Sequence, residues 1–329
     1  MPFARTVLGD IPPEQLGIVY AHEHLVIHGG RPIEYQADFD LSDVDKAVAE
    51  LAPAQALGLR TVVDAMPCDA GRDVLMLADI ARASGVNVIA PSGLHHERYY
   101  HDRHWSVRLS VEEIADLFVA DIEDGIDELD YNGPVVKRTP HRAGVMKIAG
   151  STDGLSARDE RVFAAAALAQ RRTGCPILTH CEHGTGALEQ MAFLLDHGAD
   201  PAHVVLSHTD KIVDRSYMRD IAATGARVEY DQHMRWPTDE PNGTLQLLAW
   251  AAEDGLLGHI TIGLDAARQK YWKQHGGSPG WAYLLAGFSD QLRTELGFGD
   301  AELHTLFVET PGAAYTFGAA RDAREGETR

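Results

Sequence analysis

A set of imidazole and carboxylate side chains in this sequence has the makings of a metal site. His22 and His24 lie in Ala21-His22-Glu23-His24-Leu25, His180 closes Ile177-Leu178-Thr179-His180, His208 closes Val205-Leu206-Ser207-His208, and Asp265 closes Ile262-Gly263-Leu264-Asp265. Imidazole nitrogen and carboxylate oxygen are donors that zinc and similar divalent ions accept. Residues two apart on a strand point to the same side, so His22 and His24 project together and Glu23 turns away. His180 and His208 are 28 residues apart, the length of one βα unit, which sets them side by side. Lys147, in Val145-Met146-Lys147-Ile148, is the odd member. An ammonium at the inward-facing end of a strand is costly. Two readings of it stay open: an ion pair with Asp265, or carbamylation by CO2. The second turns the cation into an anion whose two oxygens could bridge a pair of ions about 3.5–4 Å apart.

These side chains need a scaffold that brings strand ends together. Apolar runs rich in Val, Ile and Leu predict eight strands, over residues 18–25, 60–66, 86–91, 144–149, 176–181, 204–208, 227–231 and 260–265. Helical patterns predict helices over 41–57, 72–84, 111–126, 157–173, 187–196, 216–223 and 245–253. Ser42 is the expected N-cap of the first. Ser110 with Glu113 forms an expected capping box, and Gly85 is an expected helix stop. Alternating strand and helix with right-handed crossovers makes a parallel sheet, and eight such units make a closed (β/α)8 TIM barrel spanning residues 1–329 as one α/β domain. No glycine-rich phosphate fingerprint follows the first strand, which speaks against a dinucleotide-binding open sheet. A barrel places chemistry at the C-terminal ends of its strands, where the candidate residues stand.

The formal net charge of −20 over 329 residues argues against nucleic-acid and anionic-membrane partners, which attract basic surfaces. The N-terminus lacks the apolar core of a signal peptide, and no apolar run is long enough for a membrane span. Cys68, Cys175 and Cys181 show no framework spacing and suit a reducing cytoplasm.

The combined pattern resembles the phosphotriesterase family of the amidohydrolase superfamily. The resemblance rests on Thr6-Val7-Leu8-Gly9-Asp10-Ile11 and Leu16-Gly17 ahead of His22-Glu23-His24, then Lys147, His180, His208 and Asp265 in order. Thr310-Pro311 departs from the Asn-Pro common in that family. The resemblance implies two divalent ions, usually zinc. His22, His24 and Asp265 would hold one, and His180 and His208 the other. Carboxylated Lys147 and a hydroxide would bridge them, with Asp265 as proton acceptor. It implies a hydrolase, first of all a lactonase with incidental phosphotriesterase activity. A carboxylic ester or organophosphate hydrolase on the same centre is the alternative, and a complete donor set speaks against a non-catalytic metal-binding protein.

Loops after the strands set specificity. The last one, residues 266–277, is basic and aromatic within an acidic protein, and its Arg268 and Tyr271 suit a phosphate or carboxylate. This loop looks like that of relatives acting on phosphorylated sugar lactones. Arg235 offers another cation, and Tyr99 or Tyr100 a hydroxyl to polarise a substrate carbonyl. Such relatives are often dimers, so the expected partners are a small-molecule substrate and a second copy of the chain, with Trp281 and Phe288 as candidate contacts.

Overall fold

The computed structural model describes residues 2–152, 154–237 and 239–321. A short antiparallel hairpin, β1 (Ala4–Thr6) and β2 (Gly9–Ile11), precedes the barrel. The barrel strands are β3 (Ile18–Glu23), β4 (Leu59–Asp64), β5 (Asn87–Ile89) with β6 (Pro91–Gly93), β7 (Val145–Gly150), β8 (Ile177–Cys181), β9 (Val204–Ser207), β10 (Arg227–Tyr230) and β11 (Ile260–Ile262). All their pairings are parallel. The expected third strand is thus two pieces. β5 pairs with β4 and β6 with β7, and the switch falls at Ala90, next to a proline that cannot donate to a ladder. The ring closes where β11 runs on past its ladder: Asp265 N donates to His22 O at 2.9 Å. A Cβ at Gly263 would lie 2.8 Å from the backbone N and O of His22, so only glycine permits this approach.

The helices are α1 (Gly30–Tyr35), α2 (Val44–Ala56), α3 (Val74–Ser84), α4 (Val111–Glu123), α5 (Ala157–Thr173), α6 (Ala187–Asp196), α7 (Arg215–Ala223), α8 (Gly243–Glu253), α9 (Ser289–Leu296), α10 (Asp300–His304) and α11 (Thr310–Ala314). The Ser110–Glu113 capping box forms, and Gly85 ends α3 in the left-handed region at φ 71°. The cap of α2 is Asp43, not Ser42: its carboxylate accepts from Lys46 N at 3.0 Å, whereas Ser42 donates to Asp40. The helical segments between residues 284 and 314 lie beyond the elements expected from the sequence.

Val19, Ala21, Val63, Ile89, Val145, Leu178 and Val205 fill the lower barrel, one layer below the candidate site. Ala4, Leu16 and Tyr315 plug it from beneath, and Tyr315 Oη donates to Ala21 O at 2.7 Å. Burying side chains of this size is worth roughly 1.5–3 kcal/mol each, and it makes the barrel floor rigid. Trp281 and Phe288, the candidate dimer contacts, are 1% and 0% exposed. Both belong to the chain's own core and are unavailable to a partner. Among the described residues, no helix is long and apolar enough to cross a membrane.

Arg72 ties the excursion between α4 and β7 to the barrel. Its side chain is fully buried and hydrogen-bonds Asp121 Oδ2 at 3.0 Å, Pro91 O at 2.6 Å and Asp130. Removing one member of a buried ion pair strands the other charges. Arg72→Met is therefore expected to cost about 3–5 kcal/mol, read from denaturant unfolding; a loss well under this range would show that the network carries no stability.

Candidate metal centre

The alternation of β7 turns Val145 and Lys147 to the same interior side, and that of β8 does so for Leu178 and His180. The first strand needs a correction of phase. A register shift between Tyr20 and Glu23 brings His22 and His24 inward although Val19 and Ala21 also face the core. Glu23, turned away from the cavity, accepts from Leu264 N at 2.6 Å and fastens the start of the last loop to the first strand. His208 and Asp265 both lie just past their strands in the left-handed region, at φ 66° and 47°. That conformation costs a non-glycine residue of order 1–3 kcal/mol and is held by surrounding bonds.

The six side chains converge. His24 Nε2 is 3.2 Å and His22 Nε2 3.9 Å from Asp265 Oδ1. Lys147 Nζ is 3.5 Å from His22 Nε2. The ring centroids of His22 and His208 are 4.9 Å apart, and those of His180 and His208 4.5 Å. Donor atoms of His22, His24 and Asp265 all lie within 4.8 Å of one another. His24 Nδ1 is buried without a partner. The outward nitrogens of two rings are taken: His208 Nδ1 lies 2.5 Å from Asp231 Oδ2, and His180 Nε2 lies 2.8 Å from Glu182 Oε2. Their other nitrogens are left for the interior. This donor set fits a pair of divalent cations.

Electrostatics favour the same reading. Burial drives His22 and His208 below the ordinary imidazole range and His180 down to about 3, so all three rings are neutral and have lone pairs to offer. Burial also brings the Lys147 amine down to about 8. Lys147 makes no ion pair with Asp265 within 4 Å, so the simple salt-bridge reading of this lysine is not what the structure shows. Burial alone would raise Asp265, but the Arg235 guanidinium and the hydrogen bond with His24 outweigh it and hold the carboxyl well below its usual range.

The cavity above these residues has a volume of about 250 Å³. Its wall includes Tyr99, Arg235, Arg268 and Tyr271, all named from the sequence, and His95, Arg98 and Lys211, which were not. Lys211 follows His208 by three residues on a short helical turn, and no signal short of the fold places it in the cavity. It makes no ion pair among the described residues. Arg98, on the cavity wall, pairs with Glu182 at 3.1 Å. Arg235 is committed: it donates to Asp265 O at 2.6 Å and to Asp265 Oδ2 at 3.2 Å, and lies 5.1 Å from the Tyr271 ring centroid. Its partner is thus the carboxylate of the centre. Arg268 is held only loosely, 3.4 Å from Asp38.

Tyr100 is a correction. It is 5% exposed and absent from the cavity wall. Its hydroxyl donates to Cys68 O at 3.0 Å and accepts from His95 N at 2.7 Å. Of the two adjacent tyrosines, Tyr100 braces the loop and Tyr99 faces the cavity.

Comparison with known proteins gives the family and the fold. The sequence profile of the phosphotriesterase family matches residues 2–315. A phospho-furanose lactonase of Mycoplasmopsis synoviae is 35% identical over 97% of this chain and 93% of its own. The crystal structure of an amidohydrolase from Mycoplasma synoviae superposes with a TM-score of 0.91 at 34% identity, over 97% of this chain and 93% of that one. The lactonase structure from Listeria monocytogenes gives a TM-score of 0.87 at 27% identity, over 96% and 100%.

The two tyrosines separate by experiment. Tyr100→Phe leaves a buried amide and carbonyl short of a partner and is expected to cost about 1–3 kcal/mol in denaturant unfolding. Tyr99→Phe is expected to stay within about 0.5 kcal/mol of the parent. Equal losses would overturn this division of labour.

Proposed function

The chain belongs to the phosphotriesterase family, and from that premise we propose that it is a metal-dependent lactonase whose substrate is a sugar lactone bearing a phosphate. One observation carries the reading. A single cavity is lined by His22, His24, His180, His208 and Asp265 together with Lys211, Arg268 and Tyr271. An ester placed at the donors would thus have an anionic substituent within reach of cations. A guanidinium fork and an ammonium both suit phosphate.

In this reading His22, His24 and Asp265 hold one divalent ion and His180 and His208 the other. Lys147, if carboxylated, would supply oxygen donors to both. The neutral amine that CO2 requires is what burial favours at this position. Two ions so held, zinc being the usual choice, would polarise the lactone carbonyl and acidify a coordinated water. The chain's own groups do the rest. Arg235 keeps the Asp265 carboxylate ionised and fixed, so that it can take a proton and return it to the alcohol oxygen released as the ring opens. Tyr99 stands beside the cavity with a hydroxyl able to donate to the carbonyl. Arg98, paired with Glu182, forms part of the cavity wall. A homodimer, if one forms, would use surfaces other than the buried Trp281 and Phe288.

The second reading, a carboxylic ester or organophosphate hydrolase, uses the same centre but has no need of Lys211 and Arg268. Their presence favours the phosphorylated lactone. Exhaustive chelation is expected to abolish hydrolysis and readdition of zinc to restore it. Lys147→Ala is expected to fall below two bound ions per chain by elemental analysis. Activity that survives chelation would sink the metal-dependent reading. Arg268→Ala should raise KM for a phosphorylated five-membered sugar lactone about 10–100-fold, the equivalent of a charge-assisted bond of about 1.5–3 kcal/mol. The unphosphorylated lactone should be nearly unaffected; equal effects on both substrates would refute the anion site.

A further inference from the structure

Glu229 is a fully buried carboxyl on β10 that the steps above leave unused. It has no arginine or lysine partner within 4 Å among the described residues; His22 is its basic neighbour at that distance, and the Asp231 carboxyl lies beside it, with donor atoms of Glu229, Asp231, His22 and His208 all within 4.8 Å of one another. Ladder register sets it level with Ser207 on β9 and Thr261 on β11. Ser207 is also fully buried. Both side chains reach the same atom: His22 Nδ1 lies 3.2 Å from Glu229 Oε2 and 3.1 Å from Ser207 Oγ. An acceptor at Nδ1 keeps the ring proton there and leaves the Nε2 lone pair facing inward. That is where Lys147 Nζ and Asp265 Oδ1 stand, at 3.5 and 3.9 Å. A serine hydroxyl alone would not decide the matter, because it donates as readily as it accepts.

We infer that Glu229, with Ser207 beside it, is a positioning residue that fixes the tautomer and ring orientation of His22, and through them the retention of the ion held by His22, His24 and Asp265. The inference rests on the two-ion reading of the centre and adds to it the residue beneath one of the ions. The period of β10 gives it further support. Residues two apart on a strand share a face, so Glu229 and Asp231 form one buried carboxyl pair. Asp231 takes His208 Nδ1 at 2.5 Å as Glu229 takes His22 Nδ1. One strand, which supplies no ligand itself, thus orients one histidine of each ion site. Carboxyl partners of this kind typically govern metal affinity 10–100-fold when removed.

The test uses the full chain. Wild type, Glu229→Leu and Glu229→Gln are loaded with zinc, dialysed against a graded chelator and assayed for zinc per chain by elemental analysis. Wild type is expected to hold two ions. Glu229→Leu should lose one of them with a Kd raised about 10–100-fold. Glu229→Gln, which keeps an oxygen acceptor of the same reach, should recover most of the retention. A structural role alone would not give that recovery. Glu229→Leu holding both ions as tightly as wild type overturns the inference and spares the proposed function. Wild type that takes up no divalent ion overturns the proposed function itself. Should Glu229→Leu fail to fold, nitrogen-15 spectra of labelled histidine in metal-free wild type decide, with His22 assigned by His22→Gln. The Nδ1–H form is expected, and the Nε2–H form would overturn the inference.

Discussion

Desolvation at the C-terminal end of the barrel is the constraint on which the rest of this structure depends. His22, Lys147, His208, Glu229 and Asp231 are each 2% exposed or less, packed within one small volume. Each ion taken out of water costs several kcal/mol unless it is paired. The groups respond as that cost dictates. Burial lowers the imidazoles and the lysine and raises Glu229, while Asp231 is held low against its own burial by its hydrogen bonds with His208 and Glu229 and by the Arg235 guanidinium. The result is a cluster of imidazole and carboxylate donors whose nearest fixed cation is Arg235, bound to Asp265. Divalent cations would satisfy it, and the barrel floor of Val, Leu and Ala offers these groups no partner from below.

The price of gathering these groups shows in the backbone. His208 and Asp265 leave their strands in left-handed conformations that a β-strand cannot continue. A regular strand would point the next side chain out of the barrel, so the turn is what brings both residues over its mouth. His208 is pinned through its amide, which donates to Glu229 O at 3.1 Å, and Asp265 through its amide to His22 O at 2.9 Å. Both anchors lie on strands that carry other groups of the centre. Local strain and the closure of the ring are therefore one arrangement: Gly263 lets the eighth strand approach the first, and the bond from Asp265 fixes that approach.

Most of the centre was legible in the sequence because its ligands follow apolar runs, and a period of two tells which side chains share a face. The same rule explains the misses. Glu229 sits in Arg227-Val228-Glu229-Tyr230, where a charged residue reads as facing solvent; only the closed ring shows that this face is the interior. Lys211 and Glu182 lie on short turns after their strands, where no periodicity operates. Tyr99 and Tyr100 are adjacent, and which of them faces the cavity depends on a turn over Glu97–Tyr99 whose direction local pattern does not encode. The break of the third strand at Ala90 escaped notice because an apolar run looks continuous whether one neighbour or two pair with it.

The distribution of charge closes the argument. A chain with a net charge of −20 repels anions at long range, yet the cavity wall is cationic, with Arg98, Lys211, Arg235 and Arg268 along it. At physiological ionic strength the surface charges are screened beyond about 8 Å, so the general repulsion fades a short way from the protein. Inside the cavity low-dielectric walls weaken screening, and the local sign prevails. Two of the guanidiniums are spoken for, Arg98 by Glu182 and Arg235 by Asp265. Lys211 and Arg268 retain charge for a ligand, the first without an ion pair among the described residues and the second held at 3.4 Å by Asp38. An acidic exterior with a cationic pocket thus selects against large polyanions, which meet the whole surface, and leaves the site open to a small anion that meets only the pocket.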